Sequence, residues 1–229
     1  MPSELSLIAE PRLLLLAWAA GLAFAAGLVS LFRSVGPGFT WLTAGSAGAV
    51  GFAGMLGQGA WWARAALAVL VAGMFWARRR ELAGALITLA GVCYVVEASL
   101  VGGWAPAVAA AVALGGVTGE MMLGHWFLVD PRLPRKALRA LAATGMAGLA
   151  LDGLTLVVVG DMAVGGGRVV FWVLLVVSIL LMAGVLEALR HPAYSAVMAA
   201  TGLSYLAVLT TLGAVFLGRA LVAGVGPFG

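Results

Sequence analysis

Charged side chains are scarce in this sequence. Asp, Glu, Lys and Arg make up 10% of the 229 residues, whereas hydrophobic residues make up 63%. Soluble domains carry roughly 25% charged residues, and a soluble fold could not bury this much apolar surface. The composition therefore indicates a protein whose main solvent is the hydrocarbon of a lipid bilayer.

Residue types that build common active sites are also few. The only cysteine, Cys93, lies inside an apolar run, so neither an internal disulfide nor a paired-thiol metal site can form. The sequence contains no phosphate-binding loop, no nucleophile elbow and no zinc-spaced pair of histidines. The net charge of +4 comes from cations between apolar runs, which does not indicate nucleic-acid binding. A self-contained soluble-type active site is excluded, and an enzymatic role is left open.

Long apolar runs fill most of the chain and are separated by short segments rich in glycine, proline or charge. They predict an all-α fold, a polytopic transmembrane helix bundle of about eight spans that forms one domain over residues 1–229. The run at 39–77 exceeds one span of roughly 20 residues, so we divide it near residues 57–61, where a re-entrant hairpin is the alternative. The predicted helices cover about residues 13–31, 39–57, 61–77, 82–101, 107–129, 137–159, 169–189 and 193–217.

The basic residues are distributed unevenly between the two sides of such a bundle. Nine of the 13 Lys and Arg residues follow odd-numbered predicted helices, and four fall elsewhere. Because cytoplasmic loops carry the excess of Lys and Arg, we expect both termini on the non-cytoplasmic side of a bacterial-type inner membrane. The nine are Arg33, Arg78, Arg79, Arg80, Arg132, Arg135, Lys136, Arg139 and Arg190.

Residues 119–139 place an unusual number of polar side chains beside apolar ones. Glu120 lies about nine residues, or roughly 13 Å, from the cytoplasmic end of the fifth predicted helix, near the middle of a core of about 30 Å. His125 and Trp126 follow it, and Arg132 belongs to the basic loop beyond. An ionisable group at mid-helix costs about 2.5–3.5 kcal/mol, so Glu120 is a candidate functional residue.

Three other acids fall within or beside predicted helices. Asp152 and Glu97 lie in the outer halves of the sixth and fourth predicted helices. Together with Glu120 they could form a proton relay across the bilayer, although a hydrogen-bonded structural role is the alternative for each. Glu187 precedes Arg190 by three residues, which predicts an ion pair at the interface.

Both histidines of the chain, His125 and His191, fall on the predicted cytoplasmic side. If the fifth and eighth helices are neighbours, the pair could ligate haem b or flank a quinone headgroup, whose carbonyl oxygens need a donor and a proton source. The alternative is a purely interfacial His125 and a solvated His191. Glu120 and His125 are five residues apart, about 140° around the helix, so both can face one ligand only in a wide site.

These residues support three hypotheses about function. The first is an integral membrane subunit of a redox or electron-transfer complex, in which His125, Glu120, Trp126, Arg132 and His191 form a quinone or haem pocket near the cytoplasmic face. Its partners would be the lipid bilayer and other membrane or peripheral redox subunits. The second is a proton-coupled small-molecule transporter that uses the relay acids. The third is a structural or assembly subunit whose polar groups only lock helices together.

Overall fold

A computed structural model describes most of the chain, and within that part it contains eight α-helices and no strand. The prediction of an all-α fold with eight helices is confirmed. The described residues are 4–31, 35–56, 60–130, 133, 135–159 and 166–223, with side chains from residue 11 onward except at 159. The helices are α1 (Glu4–Leu31), α2 (Pro37–Gly54), α3 (Trp61–Phe75), α4 (Arg80–Gly102), α5 (Trp104–Val129), α6 (Arg135–Val159), α7 (Gly166–Ala188) and α8 (Tyr194–Val222).

Two helix ends differ clearly from the prediction. α1 begins at Glu4, nine residues early, and continues through Pro11. α8 extends to Val222, five residues beyond the predicted end. In both cases a charged residue was taken as the end of an apolar run. Arg12 and Arg219 instead lie inside their helices, because each side chain is paired with an acid on another helix.

Six helices are long and apolar enough to cross a membrane, namely α1 from Pro11, α4, α5, α6, α7 and α8. α3 is a shorter apolar helix of 15 residues, about 22 Å long at 1.5 Å per residue. The proposed division of the long run at 57–61 coincides with the gap between α2 and α3, although residues 57–59 lie outside the described part of the chain. By length and composition, the chain is a multi-pass helical membrane protein.

The helices pack as two groups of four. The first half consists of α1 to α4. In it, α1 packs against α2 and α4, and α3 packs against α4. The second half consists of α5 to α8, in which α5 and α7 each pack against both α6 and α8. Each half encloses most of one of the two hydrophobic cores. Because consecutive helices run in opposite directions, the odd-numbered helices begin at one end of the bundle, the upper end, and finish at the lower end.

Glycines allow the two halves to meet. α1 crosses α5 where Gly21 faces Gly115, and a Cβ atom added to Gly21 would lie 2.6 Å from the Cα atom of Gly115. Such contacts are available only to residues without side chains. In an apolar stretch of 18 residues of α5, 78% is buried inside the protein, whereas the corresponding share in α7 is 28%. Helix α5 is therefore the central helix of the bundle, and its residues Thr118 and Glu120 are buried among protein neighbours.

Candidate functional site

The carboxyl group of Glu120 lies in the contact between α5 and α8. Glu120 is fully buried, and neither of its carboxyl oxygens has a hydrogen-bond partner among the described residues. Ser204 of α8 lies beside it, but the Ser204 hydroxyl donates to the carbonyl oxygen of Ala200 at 2.7 Å. A buried polar group without a partner is costly, so the position retains an acid at the expense of stability.

Small residues on α5 bring this acid close to its neighbours. An added Cβ at Gly119 would lie 2.6 Å from the Cβ of Ala25 on α1, and one at Gly124 would lie 2.6 Å from the hydroxyl oxygen of Thr201 on α8. The Thr201 hydroxyl donates to a carbonyl oxygen of its own helix. Glu120 is thus enclosed by close backbone packing, with hydroxyl groups as its polar surroundings on α8.

His125 faces the surface of the bundle at the lower end of the same α5–α8 contact. Its side chain is exposed, and its Nδ1 atom lies 3.4 Å from the hydroxyl oxygen of Tyr205 on α8. Glu120 is buried whereas His125 is exposed, as the angle of about 140° between them implies. Tyr205 was missed by the sequence analysis, because nothing in a single sequence links a tyrosine to a histidine 80 positions away.

Trp126 is directed toward the first half of the protein. Its ring packs edge-on against Phe39 of α2, with 6.1 Å between ring centroids, and it lies over Gly38. Trp126 therefore joins α5 to α2 and does not contact the carboxyl of Glu120. Arg132, which was predicted to belong to the same site, lies outside the described residues.

His191 lies in the turn between α7 and α8, and its side chain is exposed. Thr201, which is level with Gly124, is seven residues beyond the start of α8 at Tyr194, or about 10 Å along the helix axis. The structure brings His125 to the α5–α8 contact and leaves His191 farther down, at the turn. This separation favours different roles for the two histidines.

Two arginines at the start of α6 support that turn. Arg135 donates to the carbonyl oxygens of His191, Pro192 and Ala193, and Arg139 donates to the carbonyl oxygen of Leu189 at 2.7 Å. These carbonyls follow the C-terminal end of α7, where cations are favourable. Two of the nine predicted cytoplasmic cations thus hold the α7–α8 turn against α6.

Asp152 forms a buried ion pair with Arg219. The Nη1 atom of Arg219 lies 2.7 Å from Oδ2 of Asp152, and its Nη2 atom bonds to Oδ1 and also donates to the carbonyl oxygen of Pro106 at 2.9 Å. The interaction joins α6, α8 and α5 at the upper end. Asp152 is therefore already neutralised, which favours a structural role over a place in a proton relay.

Glu97 forms a comparable pair in the first half. Its Oε1 atom lies 2.5 Å from Arg12, and its Oε2 atom accepts a hydrogen bond of 3.1 Å from the backbone N–H of Trp62. This interaction joins α4, α1 and α3, also at the upper end. Sequence analysis assigned Arg12 and Arg219 only to topology, since nothing local reveals partners 85 and 67 positions away.

The ion pair that the sequence predicted, between Glu187 and Arg190, is confirmed. Glu187 and Arg190 lie 2.8 Å apart on the surface, with side chains 59% and 73% exposed. Within the described part of the chain, no three or more His, Cys, Asp or Glu residues lie together as a metal site would require. Glu120 is consequently the carboxyl group whose burial is explained by neither an ion pair nor a hydrogen bond in that part.

Comparison with protein-family models, curated proteins and solved structures finds no match for this chain. The fold and the site nevertheless define a class. Within its described residues the protein is an all-helical bundle with six helices long and apolar enough to cross a membrane. Its α5 helix carries the buried carboxylic acid Glu120 and the surface residue His125, which lies 3.4 Å from Tyr205. Function has to be argued from these groups themselves.

Proposed function

We propose that the protein is an integral membrane subunit of a redox complex and that it binds a quinone headgroup at the lower end of the α5–α8 contact. His125 and Tyr205 hold the headgroup, and Glu120 exchanges protons with it from the interior. The observation that carries this proposal is the buried carboxyl of Glu120, which has no hydrogen-bond partner in the described part of the chain and lies on the same helix as the exposed His125–Tyr205 contact. Intramembrane ionisable groups of this kind commonly mark proton pathways.

The chemistry of a quinone suits these side chains. Its two carbonyl oxygens accept hydrogen bonds, which the hydroxyl of Tyr205 and a protonated ring nitrogen of His125 can donate. Reduction adds two electrons and two protons to the quinone and gives the quinol. In this proposal the electrons come from a partner redox subunit, and the protons pass through His125 and Glu120.

Haem b is the less favoured ligand. Axial ligation by both histidines would need His125 and His191 on opposite faces of one iron. His191 precedes the start of α8 at Tyr194, and Thr201, which is level with Gly124, lies about 10 Å farther along that helix. Proton-coupled transport is also less favoured, since Asp152 and Glu97 are each paired with an arginine. A split absorption band in the visible spectrum of the purified protein would make haem b, and not a quinone, the favoured ligand.

The proposal includes a membrane topology. All eight helices cross a bacterial-type inner membrane, the lower end faces the cytoplasm, and both termini lie outside. The nine cations after odd-numbered helices support this orientation. Single cysteines in a Cys93→Ser background test it. Ala193→Cys should react with an impermeant thiol reagent only in inside-out vesicles, and Trp104→Cys only in right-side-out vesicles.

Quinone binding is tested on protein purified in native lipid. We expect the wild-type chain to carry extractable quinone and to bind a short-chain benzoquinone, and His125→Ala and Tyr205→Phe to weaken that binding about tenfold, the loss of one good hydrogen bond. His191→Ala is the matched control and should bind like wild type. Equal binding by the His125 and His191 variants would disprove the assignment.

A further inference from the structure

A second candidate site lies at the lower end of the first half, around the turn between α3 and α4. A cavity of about 530 Å³ is lined by Arg78, Arg79, Arg80, Glu81 and Leu82. A neighbouring cavity of about 350 Å³ lies between this turn and the start of α2. Arg78 lines both cavities, so they adjoin at its side chain. None of these residues belongs to the proposed quinone site.

The first cavity is strongly cationic. Three consecutive arginines and one glutamate line it, which leaves an excess of two positive charges. The guanidinium of Arg79 is held 4.9 Å from the centre of the Trp76 ring by a cation–π contact. Arg78 is exposed, and no ion pair or hydrogen bond occupies its guanidinium in the described part of the chain. An anion is the ligand that complements this charge.

The second cavity is apolar and aromatic. Its lining includes Trp41, Phe75 and Pro37 as well as Arg78, and the side chain of Phe75 is 80% exposed. Such aromatic residues at the ends of apolar helices lie at the level of lipid headgroups. The two cavities together therefore offer cations for a headgroup and, next to them, an apolar surface for the chains attached to it.

We propose that this double cavity binds an anionic glycerophospholipid. The phosphate lies at Arg78 and Arg79, and the glycerol and upper acyl chains lie against Trp41 and Phe75. Basic pockets between helix ends on the cytoplasmic side are a recurrent way of binding such lipids. A free anion would use the arginines but gain nothing from the aromatic half of the site, which is why the proposal commits to a lipid.

Native mass spectrometry of the full-length protein tests this proposal. Released from micelles that contain phosphatidylglycerol and phosphatidylcholine in equal amounts, the wild-type chain should retain the anionic lipid preferentially. In the double variant R78A/R79A, the preference for the anionic lipid should fall at least tenfold, since each arginine near a lipid surface contributes about fivefold. R78K/R79K keeps the charge and should retain most of the preference.

Arg190→Ala is the matched control, because it removes a cation at the same end of the bundle but at another turn. It should leave lipid retention unchanged, and equal losses in R190A and R78A/R79A would overturn the proposal.

Inorganic phosphate at constant ionic strength should not displace the lipid. Displacement by phosphate would instead assign a free-anion site and refute lipid binding. Seven of the nine cations remain in the double variant, so its orientation should be preserved.

Discussion

Each half of the protein is held together at its upper end by an ion pair between an arginine and a buried acid, and the two pairs differ in geometry. In the first half, Arg12 of α1 bonds to one oxygen of Glu97 on α4 and remains 18% exposed. In the second half, Arg219 of α8 bonds to both oxygens of Asp152 and is only 5% exposed. The second pair is drier and better formed, so breaking it should cost more.

The halves also differ in the polar groups that their interiors leave unsatisfied. Each half leaves hydroxyls unsatisfied (Thr43 and Tyr94 in the first, Thr211 in the second) and the Nε atom of its ion-paired arginine, and the second half also contains the carboxyl of Glu120, both of whose oxygens lack a partner among the described residues. An unsatisfied hydroxyl is a modest cost, but an ionisable group without a partner is a larger one. The burial of polar residues in the first half is therefore explained by stability, whereas the burial of Glu120 requires a functional explanation.

The largest effect is expected from Asp152→Ala. This change leaves the guanidinium of Arg219 buried without its carboxylate, which should lower the free energy of unfolding by about 3 kcal/mol. Denaturant unfolding in detergent measures it. The double variant D152A/R219M should recover much of the loss, because it removes the stranded charge. A double variant as unstable as Asp152→Ala would show that the ion pair is not the cause.

The next largest effect concerns the contact between the halves. Gly115→Leu places a side chain against the backbone of Gly21, and the overpacking should destabilise the protein by about 2 kcal/mol. Gly202→Leu is the control, because an added Cβ there meets nothing within 4 Å, and it should leave the unfolding transition unchanged. Equal transitions for the two variants would mean that the halves are not in close contact at Gly115.

Glu97→Ala should have a smaller effect than Asp152→Ala. Arg12 is partly exposed and can recover some solvation, so the expected loss in the same unfolding assay is about 1.5 kcal/mol. Glu187→Ala breaks the exposed pair with Arg190 and should change the free energy of unfolding by less than about 0.5 kcal/mol. If Glu97→Ala lowered the free energy of unfolding more than Asp152→Ala, the ion pair of the first half would be the more stabilising of the two.

A small effect on stability, within the range expected for a change that breaks no contact, is expected from Glu120→Gln. No ion pair or hydrogen bond to the carboxyl is lost in the described part of the chain, so stability should stay within about 1 kcal/mol of wild type. Turnover of quinone by the assembled complex should nevertheless fall about a hundredfold, the usual size of a lost proton-transfer group. A variant with full turnover would remove Glu120 from the mechanism and leave it an unexplained buried acid.

Helix number and most helix positions could be predicted because they depend on local sequence. Apolar runs interrupted by Pro37, the arginines at 78–80 or Pro192 predict helices and turns without knowledge of their neighbours. The same method was wrong about the beginning of α1 and the end of α8. A charge usually ends an apolar run, whereas Arg12 and Arg219 lie inside their helices and are paired with acids that are distant in sequence.

The candidate site was predictable only in its α5 part. Glu120 and His125 stand out because polar residues in an apolar run are expensive. Their neighbours Ser204 and Tyr205 lie on α8, and nothing in their own surroundings marks them. The pairing of α5 with α8 depends on the close contacts of Gly124 with Thr201 and of neighbouring glycines with other helices, and these contacts exist only once the bundle has formed.

The amino-acid sequence by itself determined that this is a chain of apolar helices with most of its cations at one end, because hydropathy and charge act on each segment separately. Only the tertiary structure decided which charges are neutralised and which are not. Asp152, Glu97 and Glu120 look alike as isolated acids in apolar runs. Packing gives an arginine to the first two and, among the described residues, none to Glu120, since electrostatic pairing depends on distance in space and not on position along the chain.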